Sequence, residues 1–198
     1  MIRFKGSGAR ILDFDTEARP LSWYGGDWVT KEITAVAGQF IGEKKMHAWV
    51  LGPKTTTEEI LEGFLKLYEK ADIVTGHYIR GYDLPVLNGA LLEFGYPALE
   101  PKLTQDTKLD LVKFSGLSKS QENLGALLGL EHPKVQMDQA KWREANRLTP
   151  AGIRLTRERV TGDVRQHIEL RSVLIERGLL GSPKLWSPHP VTSSSYHP

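Results

Sequence analysis

The order of strand-like and helix-like segments constrains the fold of this chain most strongly. Three segments rich in β-branched and aromatic residues come first, at residues 9–14, 32–41 and 46–51. The second and third are joined by the polar, glycine-containing turn 42–45, which predicts an antiparallel hairpin. Helices and short strands alternate afterwards. This order indicates an α/β protein with a mixed β-sheet, an antiparallel hairpin beside parallel strands, covered by helices.

Capping signals and apolar periodicity set the bounds of the predicted elements. Thr56 and Glu59 have capping-box spacing, Ser118 and Gln121 repeat it, and Thr149 precedes a proline that suits a first helical position. The predicted helices are 56–70, 83–95, 118–129 and 149–179, with an interruption allowed at Gly162, and short strands are predicted at 71–75 and 103–107. The first strand is predicted to end in an acidic cluster before Pro20.

Composition excludes several kinds of site and sets the domain organisation. The 198 residues predict one domain over residues 1–180, followed by a Pro- and Ser-rich tail over 181–198. With no cysteine, a metal must be held by oxygen or imidazole, and a net charge of +2 means that any polyanion site is local. The first eight residues lack the apolar core of a signal peptide and no stretch could span a membrane, which predicts a cytoplasmic protein without membrane partners.

Carboxylates at the end of the first strand form the first candidate site. Asp13, Asp15 and Glu17 alternate along the chain, so a strand places them on one side. Like charges this close raise one another's pKa unless a cation neutralises them, and hard ions such as Mg²⁺ bind carboxylates together with phosphate oxygens. The alternative is that these acids lie in a solvated turn beyond the strand.

Two further acids stand at helical positions. Asp83 follows a predicted strand at a helix N-terminus, where the alternative role is an ordinary helix cap. Asp163 shares an apolar helical face with Val160 and His167, so its carboxylate needs a partner. The alternative there is a local pair with Arg159 or His167.

The three segments that carry these acids resemble a known family. They read ILDFDTEA, TGHYIRGYDLPVL and RVTGDVRQHIEL. In this order they resemble the three motifs of the DEDD 3′–5′ exonucleases, and most closely those of the proofreading domain of family B DNA polymerases and of stand-alone phage exonucleases. The resemblance spans residues 9–178 and implies an RNase H-like fold. It assigns metal binding and catalysis to four residues, which we call the four site acids: Asp15, Glu17, Asp83 and Asp163.

The family's activity is metal-dependent hydrolysis of phosphodiester bonds from the 3′ end of a nucleic acid, and single-stranded DNA is the favoured substrate here. The resemblance implies two divalent cofactors, Mg²⁺ or Mn²⁺, of which one delivers hydroxide and the other stabilises the leaving oxygen. Implied partners are DNA 3′ ends and a separate DNA polymerase or replication protein, in DNA replication or repair. Two alternatives stay open: a structure-specific endonuclease on the same fold, and a catalytically impaired nucleic-acid-binding module.

The chain departs from the family pattern in its second and third motifs. Family members often carry Asn at the position of Tyr78 and Phe at that of Tyr82. An auxiliary Tyr or His precedes the last Asp by four or five residues in the family, where this chain has Arg159 and Glu158. We therefore expect that the metals alone activate the water, or that His167 or Glu158 serves as the auxiliary base.

Candidate nucleic-acid contacts lie near the motifs. Trp23, with Tyr24 and Trp28, follows the first strand and could stack on terminal bases or pack in the core. Substrate contacts are also predicted for residues in or beside the second and third motifs, namely Tyr78, Arg80, Tyr82 and Arg159. Between residues 141 and 159, six basic residues against two acidic ones form either a phosphate track or a solvated helical face: Lys141, Arg143, Arg147, Arg154, Arg157 and Arg159.

Overall fold

A six-stranded mixed sheet forms the centre of the protein in a computed structural model, which describes residues 8–22, 29–132 and 134–189. Its strands are β1 (Ile11–Ser22), β2 (Val29–Phe40), β3 (Met46–Val50), β4 (Ile73–Gly76), β5 (Lys102–Asp106) and β6 (Lys184–Trp186). Their order across the sheet is β3-β2-β1-β4-β5-β6. Strands β1, β4 and β5 run parallel, whereas β2, β3 and β6 pair antiparallel to their neighbours. The predicted mixed sheet and its hairpin are confirmed.

Six helices cover the sheet within the described residues. They are α1 (Thr57–Lys70), α2 (Asp83–Glu93), α3 (Thr107–Asp110), α4 (Gln121–Leu128), α5 (Gln139–Asn146) and α6 (Pro150–Glu176). The capping box at Thr56 and the Thr149 cap are confirmed, and α6 continues through Gly162 without a break. The predicted cap of α4 is wrong, because the hydroxyl of Ser120, not Ser118, accepts the N–H of Asn123 at 3.2 Å.

Strand β1 is longer than predicted. It continues through Asp15 and Glu17 to Ser22, so these acids do not lie in a turn and Pro20 does not end the strand. β4 pairs with β1 only as far as Asp13. Beyond Asp13, β1 pairs with β2 on its other edge, and Pro20 of β1 lies opposite Lys31 of β2. A proline is tolerated there because a strand with one neighbour needs fewer backbone donors.

The alternation of β1 separates the core from the site. Leu12 and Phe14 are fully buried on the face covered by α1 and α2, where Phe14 packs on Phe64. Asp13, Asp15 and Glu17 therefore lie on the opposite face, under α6. Burial of large apolar side chains on one face fixes the register that places all three acids on the other, because a one-residue slip would exchange the two sets.

The segment after residue 180 contributes to the sheet. Strand β6 pairs with β5, with Leu185 opposite Leu103, and the side chain of Trp186 packs against the main core. The division into a domain over 1–180 and a tail over 181–198 stays a prediction, and residues 184–186 extend the ordered structure past its boundary. Among the described helices, none combines the length and apolar character that crossing a bilayer requires.

Candidate active site

Acids from three elements converge in an open cleft of about 300 Å³. Asp15 and Glu17 come from β1, and Asp163 comes from the middle of α6. One carboxylate oxygen from each of these three residues lies within 4.8 Å of the others. Asp83, at the start of α2, lines the same cleft. The structure thus brings together the four residues that the resemblance singles out, and the group could hold a divalent metal ion.

Asp83 does not act as the cap of its own helix, because Tyr82 occupies that position. Its Oδ1 instead accepts two hydrogen bonds from Thr16, from the backbone N–H at 3.0 Å and from the hydroxyl at 2.6 Å. Thr16 lies on the part of β1 that has no β4 partner. The carboxylate of Asp83 therefore satisfies a backbone donor that a neighbouring strand would otherwise bind, and it ties α2 to β1 at the site.

Two positive side chains lie among the acids. Lys134 places its Nζ 3.0 Å from Oδ2 of Asp163. Arg159 contacts the same oxygen through Nη2 at 3.2 Å and Glu17 Oε1 through Nε at 3.2 Å, while its Nη1 donates to the Val135 carbonyl at 2.7 Å. The pair of Asp163 with Arg159 is thus present, but it is part of a larger cluster. Lys134 stands outside the three motifs, and sequence reasoning missed it because no pattern marks a single lysine in a loop.

The environment raises the pKa of all four site acids. Burial is the largest cause for each, and the negative charges of Asp163, Asp83 and Glu17 raise the pKa of Asp15 further. Burial raises the pKa of Glu17 to about 7 although Arg159 opposes the shift, and it raises the pKa of Asp83 to about 6 against the hydrogen bonds from the neighbouring strand. The pKa of Asp163 is also raised. These carboxylates are not all ionised near neutral pH unless a further cation joins them.

The donor set suits a hard divalent cation. The ligands offered are carboxylate oxygens, which Mg²⁺ and Mn²⁺ prefer. Oδ1 of Asp163 is buried and has no hydrogen-bond partner among the described residues, so it has an unused coordination site. An unpaired buried carboxylate oxygen is costly, and a metal ion is one partner that would satisfy it.

Neither predicted auxiliary base lines the cleft. His167 is 2% exposed and is bound on both sides, with Nδ1 2.6 Å from Oδ2 of Asp13 and Nε2 3.0 Å from Oγ1 of Thr107. The alternative of a local pair between Asp163 and His167 is therefore wrong, because Nδ1 and Nε2 of His167 contact Asp13 and Thr107. Glu158 is exposed on α6 and lies outside the lining of the cleft. Asp13, which matches no position of the family motifs, is the buried partner of His167.

The hydrogen bonds of His167 continue to the cleft wall. Thr107 Oγ1 lies 2.9 Å from Nδ1 of His77, and Nε2 of His77 lies 2.7 Å from the Lys119 carbonyl. Burial lowers the pKa of His77 to about 3, so the ring is neutral, and Nε2 carries its proton because a carbonyl can only accept. Thr107 must then donate to His77 and accept from His167. This direction leaves one proton shared between His167 and Asp13.

Three of the predicted nucleic-acid contacts line the cleft, namely Arg159, whose ion pairs are described above, Tyr78 and Tyr82. Tyr78 is 37% exposed and has a left-handed backbone with φ of 75°, held by the buried Asp106, whose carboxylate accepts its N–H at 3.0 Å. Lys108 places its Nζ 3.9 Å from the centre of the Tyr78 ring. Tyr82 lines the cleft as well, with Lys31 Nζ 4.5 Å from its ring centre. Both rings therefore combine an accessible surface with a nearby positive charge.

The remaining predicted contacts are Arg80, the aromatic residues that follow the first strand, and the basic run over 141–159. Arg80 is outside the cleft lining, and its guanidinium pairs with Asp106 and Asp110, each at 3.9 Å. Trp23, Tyr24 and Trp28 lie outside the described residues. Within the basic run over 141–159, Arg159 lines the cleft, and the other five side chains are exposed on α5, on the first turns of α6 or between these helices.

The comparisons with known proteins support the fold. No protein-family model matches the chain, and no curated protein matches it. Among solved structures, the chain is similar to the family B DNA polymerase of the hyperthermophilic archaeon Pyrobaculum calidifontis, with a TM-score of 0.69 and 16% sequence identity. The match covers 90% of this chain and 26% of the polymerase, so the chain spans about a quarter of that protein's length. Together with the strand order, this likeness confirms the predicted RNase H-like fold.

Proposed function

We propose that this protein is a metal-dependent 3′–5′ exonuclease of the DEDD type that acts on single-stranded DNA. The observation that carries the proposal is the convergence of Asp15, Glu17 and Asp163 within 4.8 Å in an open cleft that Asp83 also lines. Support comes from the order of the three motifs along the chain and from a fold shared with a family B DNA polymerase.

In this proposal the four site acids hold Mg²⁺ or Mn²⁺. Bound divalent ions would supply hydroxide and stabilise the leaving oxygen, as phosphodiester hydrolysis requires. Lys108 and Lys134 add positive charge to the cleft wall, which favours binding of the phosphate backbone. Tyr78 and Tyr82 offer ring faces to a terminal base. A separate DNA polymerase or replication protein is the partner that we propose for such an activity.

The geometry also bears on the auxiliary base. The ring nitrogens of His167 are engaged with Asp13 and Thr107, and Glu158 is exposed on another face of α6. Neither residue is therefore proposed to deprotonate the attacking water. Arg159 stands where one branch of the family has tyrosine, but an arginine is not a base at physiological pH.

A time course on 5′-labelled single-stranded DNA tests the function. The reaction is run with Mn²⁺, Mg²⁺ or chelator, beside the double variant Asp15→Ala/Asp163→Ala and the control Glu176→Ala, which removes an exposed acid at the far end of α6. We expect a metal-dependent ladder that shortens from the 3′ end with wild-type protein and with the control. The double variant and the chelated sample should leave the DNA intact.

Parallel substrates separate the alternatives. Cleavage of circular single-stranded DNA would identify an endonuclease, since a circle has no 3′ end. Degradation of RNA or duplex ends in preference to single-stranded DNA would show that the proposed substrate is wrong and would identify the preferred one. Intact nucleic acid in every case, with binding retained, would contradict the enzyme and identify a binding module.

A further inference from the structure

Arg159 lies between two of the three acids that form the metal-ligating cluster. Its guanidinium forms ion pairs with Glu17 and Asp163, both at 3.2 Å, and its Nη1 donates a hydrogen bond to the Val135 carbonyl at 2.7 Å. Its side chain is 14% exposed, so the guanidinium is enclosed by the site. Lys134, in contrast, contacts Asp163 through a single-point ammonium group. Arg159 thus fills the space between two carboxylates in the way that a bridging cation would.

The charge balance of the cleft follows from these contacts. The four site acids carry four negative charges when all are ionised, and the ion pairs that Arg159 and Lys134 make with them offset two. Lys108 also lines the cleft, but its ammonium group lies over the Tyr78 ring and forms no ion pair with these acids among the described residues. The two charges that remain match one divalent cation. A second divalent ion would have to approach the guanidinium at ion-pair distance, where repulsion between positive charges is strong in a partly buried site.

We infer that Arg159 takes the place of a second metal ion, so that the free protein binds one divalent cation. This inference rests on the proposed function, because it assumes that the four site acids bind metal. Arginine suits the role because it keeps its charge and its planar fork contacts two carboxylates at once. Oδ1 of Asp163, which is buried and has no hydrogen-bond partner in the part of the chain that the structure describes, remains for the single ion. A second ion enters only when the guanidinium leaves Glu17.

Counting bound ions tests this inference without any activity measurement. Mn²⁺ is titrated into the full chain in the absence of nucleic acid, with isothermal titration calorimetry for stoichiometry and electron paramagnetic resonance for free Mn²⁺. The variants are Arg159→Gln, which removes the charge, and Arg159→Lys, which keeps it. Arg154→Gln is the matched control, because Arg154 is an exposed arginine on the same helix outside the cleft. Far-UV circular dichroism verifies the fold of each.

We expect one Mn²⁺ per chain for wild-type protein, Arg159→Lys and the control, and two for Arg159→Gln. The second ion should bind Arg159→Gln at least tenfold more tightly than wild-type protein, a change of about 1.4 kcal/mol. Two ions of similar affinity in wild-type protein, or one in Arg159→Gln, would overturn the inference and leave the proposed function standing. If no variant and no wild-type protein bound Mn²⁺, the proposed metal-dependent function would fall together with the inference.

Discussion

Removing His167 from its pair with Asp13 should destabilise the protein strongly. Asp13 is fully buried and His167 is 2% exposed, and their nitrogen and oxygen atoms lie 2.6 Å apart. Burial raises the pKa of Asp13, while the charge and hydrogen bond of His167 oppose the shift. The other oxygen of Asp13 has no hydrogen-bond partner among the described residues. The variant His167→Leu leaves this carboxyl group unpaired, and breaking a buried pair costs about 3–5 kcal/mol.

The direction of the hydrogen bonds predicts which substitution of Asp13 is tolerated. His167 donates from Nε2 to Thr107, so its Nδ1 can accept from a neutral partner at position 13. Asp13→Asn supplies such a donor without a charge, and we expect it to cost no more than about 1 kcal/mol, the net value of one hydrogen bond. Asp13→Leu supplies none and should cost about 1–3 kcal/mol, because the ring nitrogen is left unsatisfied.

Urea-induced unfolding in the presence of a chelator measures these differences without a contribution from metal binding. The double variant Asp13→Leu/His167→Leu should cost less than the two single changes together, with a coupling free energy of about 2–3 kcal/mol. In thermal melts His167→Leu should lower Tm by roughly 6–20 °C, at about 2–4 °C for each kcal/mol in a chain of this size. Costs that add to within about 0.5 kcal/mol, or an Asp13→Asn variant as unstable as Asp13→Leu, would refute the shared-proton arrangement.

Two further predictions concern stability. The pKa of Glu17 is about 7 in the folded protein against an ordinary 4.5, so between these values the folded chain holds a proton that the unfolded chain has released. In chelator this group should lower the free energy of unfolding as pH rises through this window, by up to roughly 1.4 kcal/mol per pH unit, and saturating Mn²⁺ should reduce that contribution. The slope of stability against pH should therefore be less negative in Glu17→Gln than in wild-type protein, and an unchanged slope in this variant would contradict the raised pKa. Gly152→Ala would press a methyl group onto the Glu144 carbonyl where α6 crosses α5, at a cost of about 1–3 kcal/mol in urea unfolding. The control Gly89→Ala meets no atom within 4 Å, and equal costs for both would contradict the close contact.

The parts of the site that follow local periodicity could be predicted from the sequence. Side chains alternate along any strand, so the common side of Asp13, Asp15 and Glu17 follows from spacing alone. The end of β1 could not be predicted, because the meaning of Pro20 depends on which edges of the strand have neighbours, and that is a tertiary property. The cap at Thr56 was predictable, whereas Ser118 and Ser120 both offer a capping hydroxyl and only the structure distinguishes them.

Contacts between distant segments were beyond sequence reasoning. Asp13 and His167 are separated by 154 positions in the sequence, and no pattern around either residue predicts that the two side chains pair. Lys134 reaches Asp163 from a loop whose path depends on how α4 and α5 pack on α6. The role of Arg159 could be predicted only in part. The sequence indicates that Arg159 stands where one branch of the resembled family has tyrosine, but not that its guanidinium lies between Glu17 and Asp163.

The hydrogen bonds between Asp83 and Thr16 bear on the choice of an inactive protein for trapping a bound substrate. Alanine at position 83 would remove a charge from the cleft and also release the backbone of β1 at Thr16. If that variant lost the proposed activity, the loss could come from the missing metal-binding carboxylate or from displacement of β1, and the two causes could not be distinguished. Among the described residues the side chain of Asp15 accepts no backbone hydrogen bond of this kind, and the strand pairing at its position is between its backbone and that of Ala37. To trap a substrate of the proposed exonuclease, a substitution of Asp15 is therefore the better choice, because a loss of activity there would be attributed to the missing carboxylate.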